Sequence, residues 1–182
     1  MRYPSRLLTD ERKRAFARRS NFHGGIVIID QSGSMDIDEA SLSMLLRRAP
    51  DALVVGYSHR PGDHGFTPNV WILADRGSVA TRIRSGNVGN GVDGAVLEWA
   101  RRHRKNAEPI VWITDGQVTD SHDHPDDRLT VQCAELVRRH RIRLVKELGG
   151  AGRTLNHGRT ASRSQLSQFG RLGRTLLEMT TF

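Results

Sequence analysis

Apolar positions along the chain fall into two patterns, short unbroken runs and longer stripes at helical spacing. Ile26-Val27-Ile28-Ile29 is an uninterrupted apolar run between Gly24-Gly25 and polar turn residues. Such a run predicts a strand buried on both faces. Ala52–Ser58, Val70–Ala74, Pro109–Thr114 and Ile142–Leu148 predict four further strands. Between them lie amphipathic stretches. Ile37 to Arg48 places Ile37, Ala40, Leu42, Met44, Leu45 and Leu46 along a helical stripe that stops before Pro50. Val92 to His103 predicts another helix, and Asp126 to His140 carries Leu129, Val131, Cys133, Ala134, Leu136 and Val137 at helical spacing. A closing helix from about Ser164 to Met179 gathers Leu166, Phe169, Leu172, Leu176 and Leu177 on one side. Residues 9–20 predict a short basic helix capped by Thr9 or Asp10. Gly149 to Thr160 is expected to be a loop. Its Gly149-Gly-Ala-Gly152 run is flexible and lacks the Lys-Ser/Thr that follows a phosphate-binding glycine loop.

Strands alternating with helices imply right-handed crossovers, so the expected fold class is α/β: a doubly wound, mostly parallel sheet with helices on both faces. The connection at 59–69 is too short for a helix, which makes 70–74 an antiparallel edge strand. The chain divides into a basic N-terminal arm, 1–21, and a single domain, 22–182. This topology sends Asp30–Ser34, the 59–69 loop, the 86–91 loop, Asp115–Asp120 and the 149–160 loop to one sheet edge. That edge holds the carboxyl ends of the parallel strands, where open α/β sheets bind ligands.

The 182 residues suffice for one domain with a real core. The start, Met1-Arg2-Tyr3-Pro4, leads into charge and predicts no secretory signal, and no apolar segment is long enough to span a membrane. Cys133, the one cysteine, excludes an internal disulfide and suits a reducing compartment. The expected location is cytoplasmic, or virion-associated if the chain is phage-encoded. On its apolar stripe Cys133 is expected to be a small buried side chain. The net charge is +8, carried mostly by arginine, since lysine occurs only at 13, 105 and 146. Such a surface favours acidic partners, nucleic acid included. Aromatic residues make up only 5% of the chain, and no helix-turn-helix, zinc-finger or RNA-binding signature is present. A basic nucleic-acid-associated protein is therefore the alternative reading.

The candidate chemistry starts at Asp30-Gln31-Ser32-Gly33-Ser34, where one carboxylate and two hydroxyls emerge at the end of the first strand. Oxygen ligands of this kind suit a hard divalent cation. Thr114-Asp115-Gly116 ends a later strand at the same edge. Each motif also has an ordinary structural reading: Asp30 as a cap of the following turn and helix, Asp115 as a turn residue. Asp120-Ser-His122-Asp-His124-Pro-Asp126-Asp127 offers two imidazoles one residue apart, a spacing compatible with zinc. Without further His or Cys nearby in sequence, it reads better as a polar loop in which Asp126 or Asp127 starts the next helix.

Together, D-x-S-G-S after a buried strand and T-D-G at a later strand end resemble the von Willebrand factor A (vWA) domain family. The resemblance covers roughly 22–180 and implies a Rossmann-like vWA fold with a metal-ion-dependent adhesion site (MIDAS). It further implies that Ser32 and Ser34 bind the cation directly through their hydroxyls, and Asp30 and Asp115 mainly through water. The cation expected is Mg2+ (or Mn2+ or Ca2+), which completes its shell with a Glu or Asp of a bound protein partner. The family usually supplies a threonine as a third direct ligand. Here the matching stretch is Gly89-Asn90-Gly91-Val92-Asp93-Gly94, and Val92 has no oxygen to offer. Asp93 or Asn90 is left to compensate, through a shifted loop. His59, Asp63 and His64 are expected to flank the ligand face. Arg153, His157 and Arg159 are expected to add positive potential beside the cation.

The expected function is thus a non-enzymatic, metal-assisted protein-binding module that engages an acidic residue of a partner within an intracellular or phage or bacterial multiprotein assembly. Ser32 and Ser34 lie on no nucleophile elbow, and no positioned general base is evident, which weighs against a metal-dependent hydrolase.

Overall fold

The computed structural model describes residues 24–32, 38–58, 69–79, 92–105, 108–120, 122, 124–157 and 161–179. The basic arm, Ser34, His59, Asp63, His64, Asn90 and Arg159 lie outside them. The strands are β1 (Gly25–Asp30), β2 (Ala52–Ser58), β3 (Asn69–Asp75), β4 (Ser78–Val79), β5 (Ile110–Ile113) and β6 (Arg143–Val145). The helices are α1 (Glu39–Arg48), α2 (Asp93–His103), α3 (Asp127–His140), α4 (Leu148–His157), α5 (Arg163–Leu166) and α6 (Gly170–Met179).

The six strands form one sheet in the order β4-β3-β2-β1-β5-β6. β1 pairs parallel with β2 and β5, and β5 parallel with β6. β3 runs antiparallel to β2, as the short 59–69 connection requires, but it is not the edge strand expected, because the two-residue β4 pairs antiparallel outside it. β1 is central and wholly buried, which is why its sequence is apolar without alternation. One face packs Ile26, Ile28, Val55 and Trp112 against α2, α3 and α6; the other packs Val27, Ile29, Val54 and Val111 against α1 and α4. Cys133 is a buried member of the first cluster, as its stripe predicted.

Three further expectations are corrected. Most of Gly149–Thr160 is helix rather than loop: α4 spans Leu148–His157. Leu148, Ala151 and Leu155, at helical spacing, are buried against the sheet, and Gly152 admits the Arg48 side chain of α1 at close range. This burial outweighs the roughly 1 kcal/mol that each helical glycine costs relative to alanine. The strand expected over Ile142–Leu148 shortens to Arg143–Val145, because Leu148 turns into α4. The closing helix is divided into α5 and α6 by residues 167–169, and α6 opens at Gly170, which adopts φ +51°. Among the described residues no helix is long and apolar enough to cross a membrane.

Candidate metal centre

Asp30 is the last residue of β1 and is buried. The parallel register sets Asp30 beside Tyr57 of β2 and aligns Ile29 with Ile113, which brings Thr114 to the same level. Oδ1 of Asp30 accepts the Ser32 backbone N–H at 2.9 Å, and the Thr114 hydroxyl faces its Oδ2 at 3.4 Å. The Ser32 hydroxyl also bonds this carboxylate, so one of the two expected hydroxyl ligands is held against Asp30. The Thr114 hydroxyl in turn accepts the Gly116 N–H at 3.0 Å, and Asp115 Oδ1 accepts the Gln117 N–H at 2.9 Å. Both strand ends are thus tied into side-chain-closed turns.

Gly116 needs to be glycine. Its φ is +82°, and a Cβ there would stand 2.4 Å from the Phe169 carbonyl oxygen just before α6. The T-D-G turn and the start of the last helix are therefore in backbone contact.

Asp93 opens α2 and is also buried. The Tyr57 hydroxyl donates to Asp93 Oδ1 at 2.6 Å and accepts the indole N–H of Trp112 at 2.9 Å. Tyr57, Trp112 and Thr114 therefore support the centre, though sequence reading did not single them out for this role. The one available clue was Thr114 within T-D-G. Val92, in the slot where a threonine is expected, precedes Asp93 as N-cap of α2, makes no side-chain cap bond, and packs on the apolar core.

The electrostatics are uniform in sign. Burial pushes Asp30 up to about 6, with the Asp115 charge adding to it while Ser32 and Thr114 oppose. Burial pushes Asp93 up to about 8, aided by the charges of Asp30 and Asp115 and opposed by the Tyr57 bond. The Tyr57 hydroxyl and the Cys133 thiol are raised well above their usual values, mainly by burial. Asp30, Asp93 and Asp115, from three separate elements, thus sit within electrostatic reach of one another at one sheet edge. Among the described residues, no three His, Cys, Asp or Glu side chains form a group able to hold a metal by themselves. A cation here has to draw on hydroxyls, and the residues present fit that requirement: carboxylates in mutual repulsion with the Ser32 hydroxyl among them.

The other expected contributors stand apart. Arg153 is an exposed residue of α4, and α4 leads away from this edge, since Leu155 packs against Gly25 at the opposite end of β1. Arg153 and the backbone of His157 consequently do not flank the centre. Asp120 Oδ1 accepts the backbone N–H groups of both His122 and His124, at 2.8 Å each, and Thr119 bridges Pro125. That segment is a carboxylate-closed loop with exposed imidazoles, and Asp126 caps α3 through the Leu129 N–H at 2.9 Å.

Comparison with protein-family models, with curated proteins and with solved structures finds no match to this chain. What stands is an α/β domain with a mostly parallel sheet and a buried acidic centre where the central strand ends.

Proposed function

We propose that the chain is a vWA-type protein-binding module. Asp30, Ser32, Ser34 and Asp115 hold a divalent cation, with Asp93 behind them, and a carboxylate of a protein partner completes the site. The observation that carries this reading is the crowding of Asp30, Asp93 and Asp115 at the end of the central strand. Burial, together with the neighbouring like charges, raises the proton affinity of Asp30 and Asp93, and a divalent cation relieves that repulsion better than water does. Mg2+ is the best fit, with Mn2+ or Ca2+ as substitutes, and when bound it keeps an open position for one more anionic oxygen. Asp30 is fixed by Ser32 and Thr114, and Asp115 by its own turn, so the carboxylates are pre-oriented. Asp93 is held by Tyr57 and contributes charge from behind. The role is bridging, not catalytic, within a multiprotein assembly.

The test is calorimetric titration of the full chain with Mg2+, Mn2+ and Ca2+, alongside partner capture with and without EDTA. Saturable binding that Asp30→Ala abolishes is expected. If Asp30→Ala left partner capture and its EDTA sensitivity unchanged, the metal-bridge reading would be sunk.

A further inference from the structure

The edge of the sheet opposite the acidic centre has a different character. α2 leads into β5 and α3 into β6, so both helices run antiparallel to the parallel strands and end at the edge where those strands begin. Their ends are joined, because Arg104 Nη1 donates to the His140 carbonyl oxygen at 3.4 Å. The end of α2 brings Arg101, Arg102, Arg104 and Lys105; the end of α3 brings Arg138, Arg139 and Arg141. All but Arg104 are exposed. Burial lowers the proton affinity of His140, and the charges of Arg101, Arg139 and Arg104 lower it further, so guanidinium groups of both helices converge on this residue.

One or two cations in a last helical turn answer the helix dipole. Lys105 and Arg141 lie past the helical residues and exceed that need. Nearby acids offset only part of this charge. Glu98 is engaged by Arg101 at 2.7 Å and Arg102 at 3.9 Å, and Glu108 by Arg76 at 2.9 Å and by the Lys105 backbone N–H at 3.3 Å, with the Lys105 charge also acting on it. Among the described residues no carboxylate pairs with Arg138, Arg139 or Arg141. Beside the cations Trp99 and the exposed His103 are stacked with ring centroids 4.0 Å apart, and His103 Nδ1–H donates to the Trp99 carbonyl at 2.8 Å.

We propose that this edge is a nucleic-acid site: the paired ends of α2 and α3 take the phosphodiester backbone of a nucleic acid, without reading its sequence, and the Trp99–His103 pair offers a stacking surface. The choice of partner follows from what surrounds the charge. Protein interfaces centre on apolar or aromatic anchors with charge at the rim, whereas nucleic-acid interfaces are strongly positive throughout. Membrane docking needs apolar side chains to insert. The exposed large apolar residues among those described, Met44, Ile72 and Val131, lie elsewhere in α1, in β3 and in the first half of α3. Arginine, which dominates the patch, is the side chain whose planar fork matches phosphate oxygens.

The experiment follows fluorescence anisotropy of labelled single-stranded DNA, single-stranded RNA and duplex DNA with the full chain, in EDTA. Those conditions separate this site from the cation-dependent one, so either proposal can fail alone. Binding of about micromolar strength at low salt is expected, with log affinity falling linearly against log salt. The combined exchange Arg102→Gln, Lys105→Gln and Arg139→Gln, at three exposed positions, is expected to flatten the slope. The loss is about 0.9 per lost contact on duplex DNA and about 0.7 on a single strand. Arg128→Gln, Arg163→Gln and Arg174→Gln remove the same charge from exposed positions outside the patch and are expected to leave the slope as it was. Absence of binding at low salt, or equal losses in the two triple variants, would overturn the site. So would competition by poly-glutamate or phosphatidylserine vesicles matching that of the oligonucleotide at equal charge. If the triple variant fails to fold, Arg102→Gln and Arg139→Gln made singly read the same slope one contact at a time.

Discussion

Tyr57 donates its phenolic hydrogen to Asp93 across 2.6 Å, joining the penultimate residue of strand β2 to the first residue of α2 beneath the acidic centre. The same oxygen accepts from Trp112 of β5 at 2.9 Å, so one hydroxyl satisfies a buried carboxylate and a buried indole together. Tyr57→Phe leaves both without that partner. The expected loss is about 1–3 kcal/mol of unfolding free energy, read as a lower urea midpoint at unchanged slope. A change within a few tenths of a kcal/mol would mean that water replaces the hydroxyl freely.

The raised carboxyl groups set the pH dependence of stability without cation. Asp30 at about 6 and Asp93 at about 8 bind protons more tightly in the folded chain than the ordinary value of 3.8. The native state therefore holds more protons than the unfolded one over this window, and stability falls as pH rises. The decline begins near pH 4, where the unfolded groups ionise. It ends near 6 for Asp30 and near 8 for Asp93, and stability from these groups is flat beyond. Chemical denaturation in EDTA between pH 4 and 9 checks this, and a rise across the window would contradict it. If the proposed cation takes the same oxygens, it competes with protons, and the stabilisation by Mg2+ is expected to grow with pH over the same interval.

Asp30→Asn separates a metal ligand from a turn cap. Asparagine still accepts the Ser32 N–H, so a mere cap would survive the exchange. Removal of the buried charge is expected to raise the melting temperature in EDTA at pH 8 and to abolish the further rise produced by Mg2+. If Mg2+ stabilised this variant as much as the parent, Asp30 would have no part in holding a cation.

Val92→Thr supplies an oxygen at the N-cap of α2. Valine is among the poorest residues there and makes no cap bond, whereas threonine is a favoured cap of nearly the same shape. A gain of about 0.5–2 kcal/mol in stability is expected. If the hydroxyl also reaches the cation, Mg2+ affinity rises about tenfold, equivalent to about 1.4 kcal/mol. Calorimetry separates the two effects, since capping alone leaves the affinity where it was.

Gly116 couples the centre to the last helix. Gly116→Ala adds a methyl group at φ +82° against the Phe169 carbonyl, so a drop in melting temperature worth a few kcal/mol is expected. Through this contact, Mg2+ is expected to change hydrogen exchange in α6. An identical exchange pattern with and without Mg2+ would show the helix to be rigid toward the site.

Much of the fold was legible because burial on both faces writes itself into composition. The unbroken runs at Ile26–Ile29 and Ile110–Ile113 admit few other readings, and the stripes of α1 and α3 stand out against polar neighbours. The misreading at α4 has a physical source. Gly149, Gly150 and Gly152 lower local helix propensity, while the signal for helix, Leu148, Ala151 and Leu155, acts only once there is a sheet to cover. Similarly, α5 stops at Leu166 and Gly170 opens α6 within what reads as a single apolar stripe.

At the site, the chain itself determined which oxygens are available: the carboxylates of Asp30, Asp93 and Asp115 and the hydroxyls of the D-x-S-G-S motif, with a valine where a further oxygen is expected. Tertiary structure alone decided what these groups feel. Strand register brought Thr114 to Asp30, and helix placement put Asp93 under Tyr57 and Trp112. Packing also turned Arg153 away from the centre while bringing the arginines of α2 and α3 together at the opposite edge. Residue type is local, but proton affinity and repulsion depend on burial and on charges tens of residues away in the chain, and those distances exist only after folding.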